Sequence, residues 1–151
     1  MKRDRVLIVG LALLLSAGCG GGIDDLGLIE VEGTITMDSK ALPNAGVAFL
    51  PTEAGAGGTS PSYGKTDKDG KYSLQFSLSR EGAYAGKYKV TISTHRQADE
   101  DEETEAHRET VPAEYNVNTK LKAEVKEGGG PYDFSLKSNG KIFQPVSDDD
   151  C

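Results

Sequence analysis

The chain has 151 residues, enough for one domain, and a formal net charge of −7. An acidic chain with no basic patch is a poor candidate for binding nucleic acid or anionic lipid, because both require positive charge that displaces counterions. Hydrophobic content is 36%, Trp is absent and Gly is frequent at 19 residues, which suits a protein made of short strands and turns.

At the N-terminus Lys2, Arg3 and Arg5 precede an apolar run from Val6 to Leu15, which leads into Ser16-Ala17-Gly18-Cys19. Charged, then apolar, then small is the order of an export signal. The apolar run is too short to cross ~30 Å of hydrocarbon as a helix. Small residues before a Cys are what a lipoprotein signal peptidase admits, and the segment resembles a bacterial lipobox, with Ser16 at the position where Leu is commonest. The expectation is a signal peptide over residues 1–18 and a lipid on Cys19 that anchors the protein to the exported face of a membrane. The alternative is an ordinary signal cleaved near Ala17, with Cys19 a free thiol. Loss of residues 1–18 takes away Lys2, Arg3, Arg5 and Asp4 and leaves a net charge of about −9. Residues 19–28, opening with Gly20, Gly21 and Gly22, form a flexible linker. Asp does not follow Cys19, so the usual inner-membrane retention signal is missing, which favours the outer membrane in a cell that has two. Cys151 follows Asp148, Asp149 and Asp150 and reads either as a thiol for an intermolecular disulfide or as part of a frayed tail.

From Ile29 the hydrophobic period is two. Ile29, Val31, Ile35 and Met37 alternate with polar residues, and Gly33 on their face suggests a bulge. Asp38-Ser39-Lys40 and Leu42-Pro43-Asn44-Ala45-Gly46 read as turns around the start of a short strand, Val47–Leu50. A Gly-, Ala- and Ser-rich loop follows, and then a short strand at Tyr63–Thr66. Asp67-Lys68-Asp69-Gly70 is a hairpin turn, since Asp-Gly suits positive φ. Tyr72, Leu74, Phe76 and Leu78 make the cleanest alternation in the chain. After a turn at 81–86, Tyr88, Val90 and Ile92 predict another strand, as do Leu121, Ala123 and Val125, and Tyr132, Phe134 and Leu136. Residues 97–109 hold seven acids and read as an exposed, mobile loop. Val111-Pro112-Ala113-Glu114-Tyr115-Asn116 is a non-regular segment anchored by Val111 and Tyr115. The sum is an all-β fold: a single antiparallel β-sandwich of about seven short strands over residues 29–137, with a disordered tail at 138–151.

Chemistry-bearing patterns are sparse. Asp67 and Asp69 resemble the start of a calcium loop, but the twelfth position is Leu78 rather than Glu, and turn capping explains both acids. His95 and His107 have no Cys partner within the domain, so a transition-metal site is not expected. No Gly-x-Ser-x-Gly elbow and no Gly-rich loop leading into a helix is present. The expectation is therefore no enzyme, no cofactor and no nucleic acid. Tyr63, Tyr84 and Tyr115 fall outside the strict alternation and are candidate sugar-stacking residues; the competing reading is that they cover sandwich edges or fill loop cores.

Four phrases in order carry a family resemblance. They are Val31-Glu32-Gly33-Thr34-Ile35, Leu42-Pro43-Asn44-Ala45-Gly46-Val47, Thr66-Asp67-Lys68-Asp69-Gly70-Lys71-Tyr72 and Gly86-Lys87-Tyr88-Lys89-Val90. Over residues 29–137 the chain resembles the carboxypeptidase regulatory-like domain, a transthyretin-like β-sandwich, and is similar to short lipoproteins in which that domain follows the lipid anchor. The resemblance implies an accessory, spacer or binding module, and none of its matched residues is catalytic. It leads to the expectation of a structural or interaction module anchored through Cys19. Its candidate partners are envelope polysaccharide or other surface proteins. A carbohydrate-binding module is the alternative, and a calcium-stabilised adhesion module a second one.

Overall fold

A computed structural model describes residues 27–55, 58–97 and 105–145 of the chain. The expected signal, Cys19, residues 98–104 of the acidic stretch and Cys151 lie outside them. Among the described residues the strands in chain order are β1 (Leu28–Ile29), β2 (Glu32–Met37), β3 (Lys40–Ala41), β4 (Gly46–Pro51), β5 (Ser62–Lys65), β6 (Lys71–Ser73), β7 (Gln75–Ser77), β8 (Arg80–Glu81), β9 (Ala83–Tyr84), β10 (Gly86–Ser93), β11 (Lys122–Val125) and β12 (Phe134–Leu136). One 3-10 turn, Ala113–Tyr115, breaks the β pattern. The all-β sandwich expected from period-two alternation is the fold observed.

Two sheets carry the core. The larger has the order β11-β10-β4-β5-β7-β8, and the smaller has the order β12-β2-β3, with β6 also paired to β2. β1 pairs with β9 as a short ribbon. In the large sheet Val47 and Phe49 of β4, Tyr88, Val90 and Ile92 of β10 and Val125 of β11 are buried, while the residues between them are not. The small sheet answers with Ile35 of β2, Tyr72 of β6 and Leu136 of β12. The Phe49 ring is the meeting point. Its centroid lies 5.7 Å from Tyr88, 6.5 Å from Tyr72, 6.1 Å from Tyr132 and 6.3 Å from Phe134. Such tilted and edge-on pairs add to area burial, each by roughly 1 kcal/mol.

The clean alternation from Tyr72 to Leu78 does not form one strand. Tyr72 on β6 pairs with Gly33 of the small sheet, whereas Gln75 on β7 pairs with Tyr63 of the large one. The chain changes sheets at Leu74, which is fully buried and donates its N–H to the Val31 carbonyl at 2.9 Å. Its own carbonyl accepts the Gly82 N–H at 2.7 Å. Leu78, expected on the core face, instead sits fully exposed beyond the corner. A strand that switches sheets serves both layers, and its continuous pattern hides the break.

Three further expectations are corrected. The pairing is not wholly antiparallel: β12 runs parallel to β2, with Phe134 opposite Ile35 and Leu136 opposite Met37. Turn stretches around 40, 80 and 83 contribute the short strands β3, β8 and β9. The tail expected to be free from residue 138 is bonded to the body as far as Gln144. The Ser138 hydroxyl donates to the Asp38 carboxylate, the Lys141 carbonyl accepts the Ala113 N–H at 2.8 Å, and the Gln144 side-chain amide donates to the Glu109 carbonyl at 2.9 Å.

Gly33 is not a bulge. It pairs regularly with Tyr72, and its missing side chain admits another backbone: a Cβ there would stand 2.0 Å from the Tyr132 carbonyl oxygen. That carbonyl accepts the Tyr72 hydroxyl at 2.7 Å, and Tyr132 donates its N–H to the Glu32 carbonyl at 2.9 Å. Gly33→Ala therefore pushes the 131–133 segment off the sheet, and a loss of roughly 3 kcal/mol is expected in chemical denaturation of the full chain. In contrast, Ser62 is buried opposite Phe49 with its hydroxyl unpartnered. Ser62→Ala removes an unsatisfied polar atom and is expected to raise the melting temperature or leave it unchanged.

Candidate functional site

The three tyrosines singled out for sugar stacking are not brought together. Tyr115, in the 3-10 turn, is half-buried, and its hydroxyl accepts the Lys137 N–H at 3.1 Å. Tyr84 on β9 packs edge-on against Phe76, with ring centroids 5.1 Å apart. Tyr63 on β5 is 57% exposed. Tyr72 and Tyr88 donate their hydroxyls to backbone carbonyls of Tyr132 and Tyr84, and Tyr132 donates to that of Glu124. Five of the six tyrosines are thus committed to the fold, and only Tyr63 presents its ring to solvent.

Of the two calcium candidates, Asp67 caps a turn with its side chain, and Asp69 contributes its N–H to that cap. The Asp67 carboxylate accepts the N–H groups of Asp69 at 2.8 Å and Lys71 at 2.9 Å. These bonds, that of Lys71 foremost, hold its carboxyl below the usual range. Gly70 completes the turn with φ near +75°. The adjacent cleft, about 560 Å³ in volume, is lined by Glu32, Lys65, Asp67, Lys71, Tyr72 and Asp133 among others. Its acids mostly serve the fold, as where Asp133 accepts the Thr34 N–H at 2.7 Å. Burial, and then the nearby Asp133 and Tyr132, raise the Tyr72 phenol well above its ordinary value, so it remains a donor and not a base. Among the described residues no three His, Cys, Asp or Glu side chains converge as metal ligands.

His107 pairs with Arg96 in a small β-bridge, and His95 precedes Arg96 in the chain. Arg96 and His107 exchange backbone bonds at 2.8 and 2.9 Å, and His107 Nδ1 lies 3.1 Å from the Thr94 carbonyl, which requires the proton on Nδ1. The end of the acidic stretch departs most from expectation. Glu109, read as part of an exposed loop, is buried. Its carboxylate accepts the Ser93 hydroxyl, the Thr94 N–H at 3.0 Å and hydroxyl at 2.9 Å, and the N–H groups of Thr110 at 2.9 Å and Val111 at 2.8 Å. Burial alone would raise its pKa, but these donors outweigh desolvation and hold it below the ordinary carboxylate value. The group is a structural clamp on the end of β10.

The outer face of the large sheet is the remaining polar surface of size, and its layout follows from register. Alternation that buries Tyr88, Val90 and Ile92 turns Lys87, Lys89 and Thr91 outward. Lys122 and Glu124 of β11, Ala48 and Leu50 of β4, Tyr63 and Lys65 of β5 and Gln75 of β7 share this face. Across the sheet, Thr91, Ala48, Tyr63 and Gln75 form one row. Lys122, Lys89 and Leu50 form another, and Glu124 faces Lys87. A basic patch, which the linear sequence does not display, is assembled here from strands distant in the chain.

Comparison with protein-family models, curated proteins and solved structures finds no match. Among the described residues no helix is long and apolar enough to cross a membrane.

Glu109→Gln is expected to cost roughly 3 kcal/mol near neutral pH, because a charged acceptor is lost from five donors. With its folded-state pKa depressed, Glu109 contributes stability that is present above its unfolded pKa and lost as pH falls through the folded one. The gap between wild type and Glu109→Gln in urea titrations therefore narrows on acidification below the usual carboxylate range.

Proposed function

We propose that the chain is a non-catalytic interaction module carried on the exported face of a membrane by a lipid on Cys19. The anchor rests on the order of charged, apolar and small residues that ends in Ser16-Ala17-Gly18-Cys19, followed at once by Gly20, Gly21 and Gly22. The interaction reading rests on one observation: the broad outer face of the large sheet carries Tyr63, the only tyrosine with no fold role, amid small and polar neighbours. An aromatic ring left in water beside Ala48 and Gln75 has an open face for a ligand.

The carbohydrate-binding alternative survives in reduced form. Tyr84 and Tyr115 make internal contacts and no shared platform, so a sugar would stack on Tyr63 alone. An adhesion module built on calcium has less support, since Asp67 is occupied by two backbone donors.

The anchor is tested by fractionating cells that express the full chain or its Cys19→Ser variant. Wild type is expected in the membrane fraction at mature size. The variant is expected in soluble fractions, or as an uncleaved precursor. A Cys19→Ser protein that stays membrane-bound at mature size overturns the lipid anchor.

A further inference from the structure

We infer that the outer face of the large sheet is a binding site for an acidic polysaccharide, with Tyr63 stacking on a sugar ring and Lys89 and Lys122 pairing with its carboxylates. The observation that points there is electrostatic. Lys89 of β10 and Lys122 of β11 are direct cross-strand partners. Their Cα atoms stand about 5 Å apart and both side chains are exposed on the same face. Like charges directly opposite each other destabilise a sheet. Folding needs no lysine at either position, because neither side chain is buried. Lys87 stands diagonally from Lys122 and extends the cluster. Lys65 lies beyond Tyr63 on β5.

Three acids lie near the cluster: Glu124 stands opposite Lys87, Glu53 lines a shallow cleft together with Lys87 and Lys122, and Glu81 stands opposite Gln75. The face still carries more lysines than acids on a chain whose net charge is −7. Segregation of positive charge on one surface of an acidic protein selects a polyanion.

The remaining residues favour a glycan over a lipid surface. Tyr63 is the only large apolar side chain exposed within the described strands of this sheet; Leu78, in the β7–β8 turn, Val117, Ile142 and Phe143 are exposed outside those strands. A sheet face with one ring, set between Ala48 and Gln75 with Thr91 further along the same row, offers stacking and hydrogen bonds to hydroxyl groups and little to insert between acyl chains. The inference rests on the surface-module reading only for where the polymer is met. Binding by the purified chain and membrane release of Cys19→Ser fail independently.

The test uses the full chain in affinity electrophoresis and calorimetry with polygalacturonate, with dextran as a neutral polymer. A third probe is phosphatidylcholine vesicles holding about one-third phosphatidylglycerol. Wild type is expected to bind polygalacturonate, less tightly as salt rises, and to bind neither dextran nor vesicles. Lys122→Glu is expected to weaken binding at least about tenfold and to flatten its salt dependence. The same change converts a like-charge pair into an opposite one, so its melting temperature is expected to hold or rise. Weaker binding by a more stable protein cannot be misfolding. Tyr63→Ala is expected to weaken binding by roughly tenfold with the fold intact. Failure of wild type to bind polygalacturonate overturns the inference, as does unchanged binding by Lys122→Glu. Binding to vesicles but not to polygalacturonate overturns it in favour of a membrane surface. Equal binding of dextran overturns the acidic specificity.

Discussion

The two sheets close on the ring of Phe49. It comes from the centre of β4 and meets Tyr88 from its own sheet and Tyr72 and Phe134 from the other, together with Tyr132 just before β12. A buried Phe contributes about 3–5 kcal/mol relative to Ala, which makes this contact a large part of the stability available to a domain of this size. More than energy depends on it. With Phe49 inward, Ala48 and Leu50 must point outward, and the registers β4–β10 and β4–β5 follow from pairing to that strand. A slip by one residue would bury Lys89 and expose Tyr88 and Val90, so the core enforces the register.

Because the register is enforced from inside, the outer face is rigid and specific without being needed for stability. Lys89 faces Lys122, and Tyr63 lies between Ala48 and Gln75, because their neighbours in the chain fill the core. The ends of the scaffold are held by polar clamps. Glu109 ties the end of β10 to the 109–111 segment, and the amide of Gln144 brackets the Glu109 backbone from the other side, accepting its N–H and donating to its carbonyl. Thr119 donates its hydroxyl to the Val90 carbonyl at 2.6 Å, which draws the approach to β11 onto β10. The Thr119 bond holds the approach to β11 against β10 beside the place where two lysines repel.

Local alternation made the strands legible where one strand serves one sheet. The strands β4, β5, β10 and β11 fall within a residue or two of where Val47–Leu50, Tyr63–Thr66, Tyr88–Ile92 and Leu121–Val125 place them. The reading failed where the physics was non-local. The change of sheet at Leu74 leaves the period intact, so Tyr72 to Leu78 reads as one strand although its halves have different partners. Glu109 has the same composition signature as the acids before it. Its burial depends on donors at Ser93 and Thr94 that lie across the fold. The parallel pairing of β12 and the docking of 138–144 likewise rest on partners about a hundred or about thirty residues away. Of the three candidate tyrosines, nothing in their local sequence separates Tyr63 from Tyr84 and Tyr115; only tertiary contacts do. The lysine cluster was invisible for the same reason, since Lys65, Lys89 and Lys122 come from three separate strands.

Tyr63 differs from the other tyrosines in what it does for the fold. Tyr72, Tyr88 and Tyr132 place a ring against Phe49 and a hydroxyl on a backbone carbonyl, so each fills core volume and satisfies a polar group at once. Tyr63 does neither. On β5, held between β4 and β7 with Ala48 and Gln75 as cross-strand neighbours, Thr or Val would serve β-propensity as well and expose less apolar surface. Opposed lysines are mildly unfavourable in a sheet, and an exposed ring leaves apolar surface in water. Their coincidence on one face, where the core requires neither, is the feature on which the proposed binding face rests.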